Sequence, residues 1–287
     1  MTTTTIEPPA RFTTAPTQPP AVSNLRAFAT LARRRIALSA HTPRELLVPL
    51  TTPILFATVI APALAKSIGP FGGLDYTTYV AIGTVGLLIP LSCMFAGIGV
   101  ISDREHGARQ DLLAAPIPRS LVVFGNLAVA LGVSALQVVA LFITATLRGS
   151  SFDVSTSGIA WFTAAALGLG ILMYGMAEML ANKLPSQEEF IGAAPAIALV
   201  PWFFAGSFFR ISSMPSALTV IAKILPLTHA LAVMRYALLD PHGTGLRDIW
   251  GMSNTTTMAA LSLAVVAGYA AILTVVSIRV FTRAAVK

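Results

Sequence analysis

Apolar residues collect in six long runs, near 46–65, 78–101, 121–147, 159–181, 190–209 and 256–280, with more polar stretches between them. A helix needs about 20 such residues to cross a ~30 Å hydrocarbon core. Lipid offers the backbone no hydrogen-bond partner, so each crossing has to be a helix. The pattern predicts an all-α membrane protein with six transmembrane helices over residues 42–287. Pro53, Pro62, Pro90, Pro195 and Pro201 interrupt the runs, which predicts shaped helices, some of them kinked or broken.

The stretches outside the runs are of four kinds. Residues 1–23, rich in Thr, Pro and Ala, contain no apolar core of signal-peptide length and read as a disordered cytoplasmic tail. In residues 24–41, Leu25, Phe28, Ala29, Ala32 and Ile36 share one helical face while Arg26, Arg33 and Arg34 lie away from it. That predicts an amphipathic helix in the membrane interface, or a basic flank of the first span. Between runs two and three, Asp103–Arg119 places Leu112 and Leu113 between charges and the prolines Pro116 and Pro118. His106 to Ala115 is free of proline. The spacing fits a short helix presented to a soluble partner or an ordinary charged loop. The fourth stretch, Arg210–Thr255, stays partly apolar and is cut by Pro215, Pro226 and Pro241 into pieces of about 10–14 residues, the length of re-entrant or interfacial helices.

Composition and charge then set class and orientation. Of 287 residues 55% are hydrophobic and 11% charged, with a mean hydropathy of +0.77, against about 25% charged in a soluble domain. The net charge of +7 does not point to nucleic acid, because the cations are not interleaved with aromatics along a groove-sized stripe. Arg11, Arg26, Arg33, Arg34, Arg35, Arg44, Arg104, Arg109, Arg119, Lys183, Arg279, Arg283 and Lys287 are thirteen of the 19 Lys and Arg residues and fall on one side of a six-span chain. The positive-inside rule puts that side, and both termini, in the cytoplasm.

Candidate chemistry is sparse. No Gly-Lys pair exists for a Walker A loop, the single cysteine Cys93 excludes an internal disulfide, and the four histidines lack metal-ligand spacing. Glu178 is the one acid inside a proposed span. It reads as an end-of-span acid reaching the interface, or as an intramembrane functional acid.

Two stretches carry a family resemblance. The loop DREHGARQDLLAAPIPR resembles that of type-2 ABC exporter permeases, where Arg-Glu-x-Gly precedes a leucine pair and a proline. FAGSFFRISSMPSALTVIAKILPLTHALAVMRYAL resembles the family's closing signature through Gly206, Phe208, Phe209, Met214, Pro215, Pro226 and Arg235. The daunorubicin/doxorubicin-resistance-like branch is the nearest. Ala108, where Thr is common, Leu225, where Asn is usual, and His229 depart from the pattern.

The resemblance implies a permease subunit of an ATP-driven exporter that moves a drug, lipid or glycolipid by alternating access. It is expected to pair with an identical or related permease in the plasma membrane. Two separate ATP-binding subunits would carry ATP and Mg, and this chain no cofactor. Arg104, Glu105, Gly107, Leu112, Leu113 and Pro116 would form a cytoplasmic coupling helix, with Lys183–Glu189 as a second contact. Trp202, Phe203, Phe204, Phe208 and Phe209 would line the route, unless they are packing or interface aromatics. A lipid-modifying membrane enzyme and a non-transporting assembly factor are the alternatives.

Overall fold

The computed structural model describes residues 23–40, 50–68, 73–108, 110, 112 and 118–284. Every regular element among them is helical: α1 Asn24–Ala40, α2 Leu50–Ile68, α3 Tyr76–Glu105, α4 Arg119–Leu147, α5 Thr156–Lys183, α6 Gln187–Phe204, α7 Ser216–Ile224, α8 Pro226–Leu238, α9 Thr244–Trp250 and α10 Thr255–Ala284. The predicted tail lies outside the described residues except for Ser23.

Helices α2, α3, α4, α5 and α10 are long and apolar enough to cross a membrane. The prolines do not break the helices that carry them. Pro90 sits inside an unbroken α3, and Pro195 and Pro201 inside α6. Only α2 shows a local departure, a π-helical turn at Phe56–Ile60 just before Pro62. That wider turn fits a position where the proline withholds its backbone donor.

The fifth run differs from its prediction. Its helix opens on Gln187, Glu188 and Glu189, and it ends at Phe204 instead of 209. The polar opening turn leaves α6 short of the hydropathy of a span by itself. Its end is set by Gly206, whose φ of +79° turns the chain where a side chain would meet Ile211 and the Phe209 carbonyl.

Helix α3 is the centre of the bundle, buried at every position from Thr78 through Pro90 and packed by α4, α5, α6 and α2. Helix α6 runs antiparallel to it. Near one end of α3 the Trp202 indole donates to the Gly83 carbonyl at 2.7 Å. Farther along, the Phe190 ring fills the space a side chain on Gly97 would take. At the far end Arg104 reaches Pro185. From Gly83 to Arg104 is about 31 Å of helix, the depth of a bilayer core.

Side chains start the helices. Asp75 accepts the amides of Thr77 and Thr78 at α3, and Ser155, Ser186 and Asn254 do the same at α5, α6 and α10. Burial raises the Asp75 pKa, but hydrogen bonds from Thr78 and Thr77 outweigh it and leave it below the ordinary value. The stability this cap contributes is therefore present above the carboxylate range and lost as pH falls through it.

Helix α1 packs on α4, with Ala27 buried and Phe28, Leu31 and Ala32 half-buried. Leu25 and Ala29, expected on the same apolar face, are exposed. The contact with α4 is centred one step round the helix from the predicted stripe, and the side chain of Ile36 lies outside the described residues. Arg34, expected among headgroups, pairs with Asp103 at 3.2 Å and ties α1 to the end of α3.

The Ser207 carbonyl would lie 2.3 Å from a Cβ on Gly83. Gly83→Ala is expected to destabilise the purified chain by about 1–3 kcal/mol. Gly132→Ala on α4, where nothing lies within 4 Å, should be neutral or slightly stabilising in the same thermal melt.

Candidate functional site

The segment cut by prolines forms a hairpin. After the Gly206 turn and a 3-10 turn at Ile211–Ser213, α7 begins behind Pro215. Pro226 opens α8 at its first position, where its missing donor is harmless. The two helices meet at 82°. Entry and exit are joined: Ser212 donates to Asp248 of α9 at 2.9 Å, and the Asp153 amide before α5 donates to the Leu238 carbonyl at 2.8 Å. Thus both mouths of the hairpin sit at one end of the bundle. At its elbow, the His229 ring is within hydrogen-bond distance of Ser262 Oγ (3.2 Å) and the Lys223 carbonyl (2.9 Å).

The hairpin is fastened to α3 through Arg235. Its guanidinium is buried, stacks 3.6 Å from the centre of the Tyr79 ring, and donates to the Ser207 carbonyl at 3.0 Å. Tyr79 and Tyr76 donate to the carbonyls of Gly206 and Phe208, each at 3.0 Å. One turn of chain after α6 is therefore gripped by α3 and α8 together. The signature residues Gly206, Met214, Pro215, Pro226 and Arg235 all belong to this unit, as its turn, helix starts and fastening. Tyr79, Ser207 and Gly83, which complete it, were not singled out from sequence. Tyr79 and Arg235 are too far apart in the chain for any periodicity to pair them.

The five aromatics divide. Trp202 is buried, with ring centres of Phe208 and Phe203 at 4.8 and 5.0 Å and Phe56 of α2 at 6.0 Å. It is a packing residue that locks α6 to α3. Phe204 and Phe208 are half-buried, while Phe203 and Phe209 are exposed.

At the opposite end, Arg104 donates to the carbonyls of Ala181 (3.1 Å) and Pro185 (2.9 Å). Its charge is thus engaged within the chain, clasping α3 to the end of α5 and the start of α6. Glu105 is exposed. Gly107, expected near the start of the loop helix, instead ends α3: its φ is +75° and its amide reaches the Arg104 carbonyl at 3.4 Å. Helical residues reappear at Ala108, Gln110 and Leu112. Leu112 is half-buried against the chain's own core. Leu113 and Pro116 lie outside the described residues.

Glu178 is buried inside the helix bundle. It is 1% exposed and accepts from the Tyr174 hydroxyl at 2.7 Å and the Asn182 amide at 3.1 Å. Both donors sit four residues away on α5, a spacing that puts them on its face. That signal was present in the sequence. Among the described residues no group of three or more His, Cys, Asp or Glu is placed to hold a metal ion.

Residues 26–239 match the family described as ABC-2 type transporter. Nodulation protein J of Rhizobium leguminosarum bv. trifolii is 25% identical over 218 residues, 75% of this chain and 82% of the relative. The Neorhizobium galegae protein of the same name is 25% identical over 210 residues, 72% and 79% of the two chains. The putative transport permease ycf38 of Porphyra purpurea is 26% identical over 197 residues, 63% and 66%.

If Arg104 serves the chain's own fold, Arg104→Ala lowers the stability of the isolated protein by about 1–3 kcal/mol, the worth of charged hydrogen bonds at a half-buried site. Glu105→Ala should leave it within about 0.5 kcal/mol. Thermal melts in detergent read both.

Proposed function

The chain belongs to the ABC-2 type transporter family, membrane permeases that lack ATPase motifs and work with separate ATP-binding subunits, and from that premise we propose an exporter of hydrophobic or amphipathic solutes. Drugs, lipids and glycolipids are the chemical classes in view. The carrying observation is that, among the described residues, each buried charged side chain meets partners in the chain: Glu178 meets Tyr174 and Asn182, Arg235 meets Tyr79 and Ser207, and Asp240 meets Thr244. A path past such a bundle favours solutes that need little polar coordination.

In this reading the chain crosses six times in the plasma membrane, with α6 as the fifth crossing and α7–α8 as a re-entrant hairpin on the outer side. The antiparallel run of α6 along α3 from Arg104 to Gly83 supports the crossing, and the Ser212–Asp248 closure supports the re-entry. The Arg104 end and both termini face the cytoplasm. Two copies, or this chain and a related one, assemble with two ATP-binding subunits that carry ATP and Mg. Those subunits seat the loop after α3, using exposed Glu105 together with Leu112, Leu113 and Pro116, and the α5–α6 loop. Closure of the subunits shifts the bundle from inward- to outward-open through differential binding to the two states. Phe203, Phe204, Phe208 and Phe209 face the solute or the paired permease.

Two measurements test this. In a Cys93→Ala background, a membrane-impermeant thiol reagent should reach Lys183→Cys from one side and both Ser213→Cys and Ser253→Cys from the other. Labelling of positions 183 and 213 from the same side would make the hairpin, and not α6, the remaining crossing. Leu112→Asp with Leu113→Asp should abolish co-purification of the ATP-binding subunit while the chain stays folded; retained partner binding would remove the loop from the interface.

A further inference from the structure

Between the hairpin and the start of α3 lies a cavity of ≈ 30 Å³, lined among others by Tyr79, Arg210, Thr228, Arg235, Asp240 and Asp248. Two of the lining residues each carry a polar atom, the Thr228 hydroxyl and Arg235 Nε, that is buried with no hydrogen-bond partner in the chain. Their residues are only 3% and 7% exposed. An unmet donor in a buried site is costly, and such groups are ordinarily completed by a partner or by water. We propose that this cavity is a water-binding site, holding about two ordered waters that complete Thr228 and Arg235.

The chemistry favours water over the alternatives. Arg235 Nε offers only a donor, whereas the Thr228 hydroxyl offers both a donor and an acceptor; a water accepts from the first and exchanges either role with the second. An anion could accept from both, but Arg210 and Arg235 are matched in the lining by Asp240 and Asp248, so the wall has no net positive charge to hold one. A larger solute does not fit the volume. The rim at Arg210, Thr244 and Asp248 is only half-buried, which gives water a way in.

The consequence concerns gating and rests on the exporter reading, although the water site does not. A hairpin seated on apolar packing alone would lose all its contacts on lifting. Here the polar contacts of Arg235 with Ser207 and Tyr79 would be exchanged for water already in place, so the seat can separate and close again.

X-ray radiolytic footprinting of the full chain in nanodiscs, read by mass spectrometry, tests the site, because radicals formed from bound water label neighbouring side chains that bulk solvent does not reach. Tyr79, 4% exposed and on the cavity, should be labelled several-fold faster than Tyr174, 1% exposed and away from it. Thr228→Val should slow Tyr79 labelling several-fold without raising the melting temperature. Equal, slow labelling of both tyrosines, or a Thr228→Val protein that melts several degrees higher, shows a dry cavity and overturns the proposal. So does Tyr79 labelling untouched by Thr228→Val, since the water would then be bulk solvent. Protection of Tyr79 by added chloride or phosphate would assign the site to an anion and overturn it too. If the site is confirmed but transport never depends on ATP-binding subunits, the exporter reading fails and the water site stands.

Discussion

A guanidinium buried in a helical bundle has to be met by partners, and much of this fold follows from where Arg235 finds them in the chain. It lies over the Tyr79 ring and donates to the Ser207 carbonyl. To bring that carbonyl within reach, the chain must turn sharply after α6, which Gly206 allows with its positive φ. It must also press against α3, which the bare Cα of Gly83 allows. The two tyrosines that open α3 then hold the neighbouring carbonyls of the same turn. The hairpin is thus shaped by its prolines and held by one buried cation. Desolvation makes the stacking worth more than it would be at a surface.

The same helix that receives Arg235 carries Arg104 near its other end. One clasp gathers the hairpin and the end of α6; the other gathers the end of α5 and the start of α6. Helix α3, about 45 Å long by its residue count, is the element common to both. Under the proposed function a force applied to the loop after Glu105 therefore acts on a rod whose far end seats the hairpin. Interlocking of α3 with α6 through Trp202 and Phe190 keeps the pair from sliding independently.

Hydropathy made the long helices legible, because α2, α3, α4, α5 and α10 each coincide with one long apolar run. It overran the fifth helix, since the residues of FAGSFF are as apolar as those before them and only the backbone at Gly206 shows the turn. Proline spacing located the two arms of the hairpin correctly, as each proline fixes where a helix can begin. The partners of Arg235 and Arg104 were not legible: their contacts link residues far apart in sequence and depend on helix packing. Arg104 in particular looked like a surface charge awaiting a partner protein, and its acceptors are backbone carbonyls, which no sequence motif marks. Glu178 was visible as an exception, and its donors at four-residue spacing could have been read from the same helix.

The account turns on the hairpin leaving its seat on α3 when ATP-binding subunits act at the opposite end. Gly86 of α3 and Leu231 of α8 touch, with the leucine carbons 2.8–3.1 Å from a Cβ at Gly86, so Gly86→Cys with Leu231→Cys in the Cys93→Ala background can tether them. With the ATP-binding subunits present in liposomes, oxidation of that pair is expected to stop ATP-driven export while partner binding persists, and reduction to restore it. Undiminished export by the fully cross-linked protein would contradict the account.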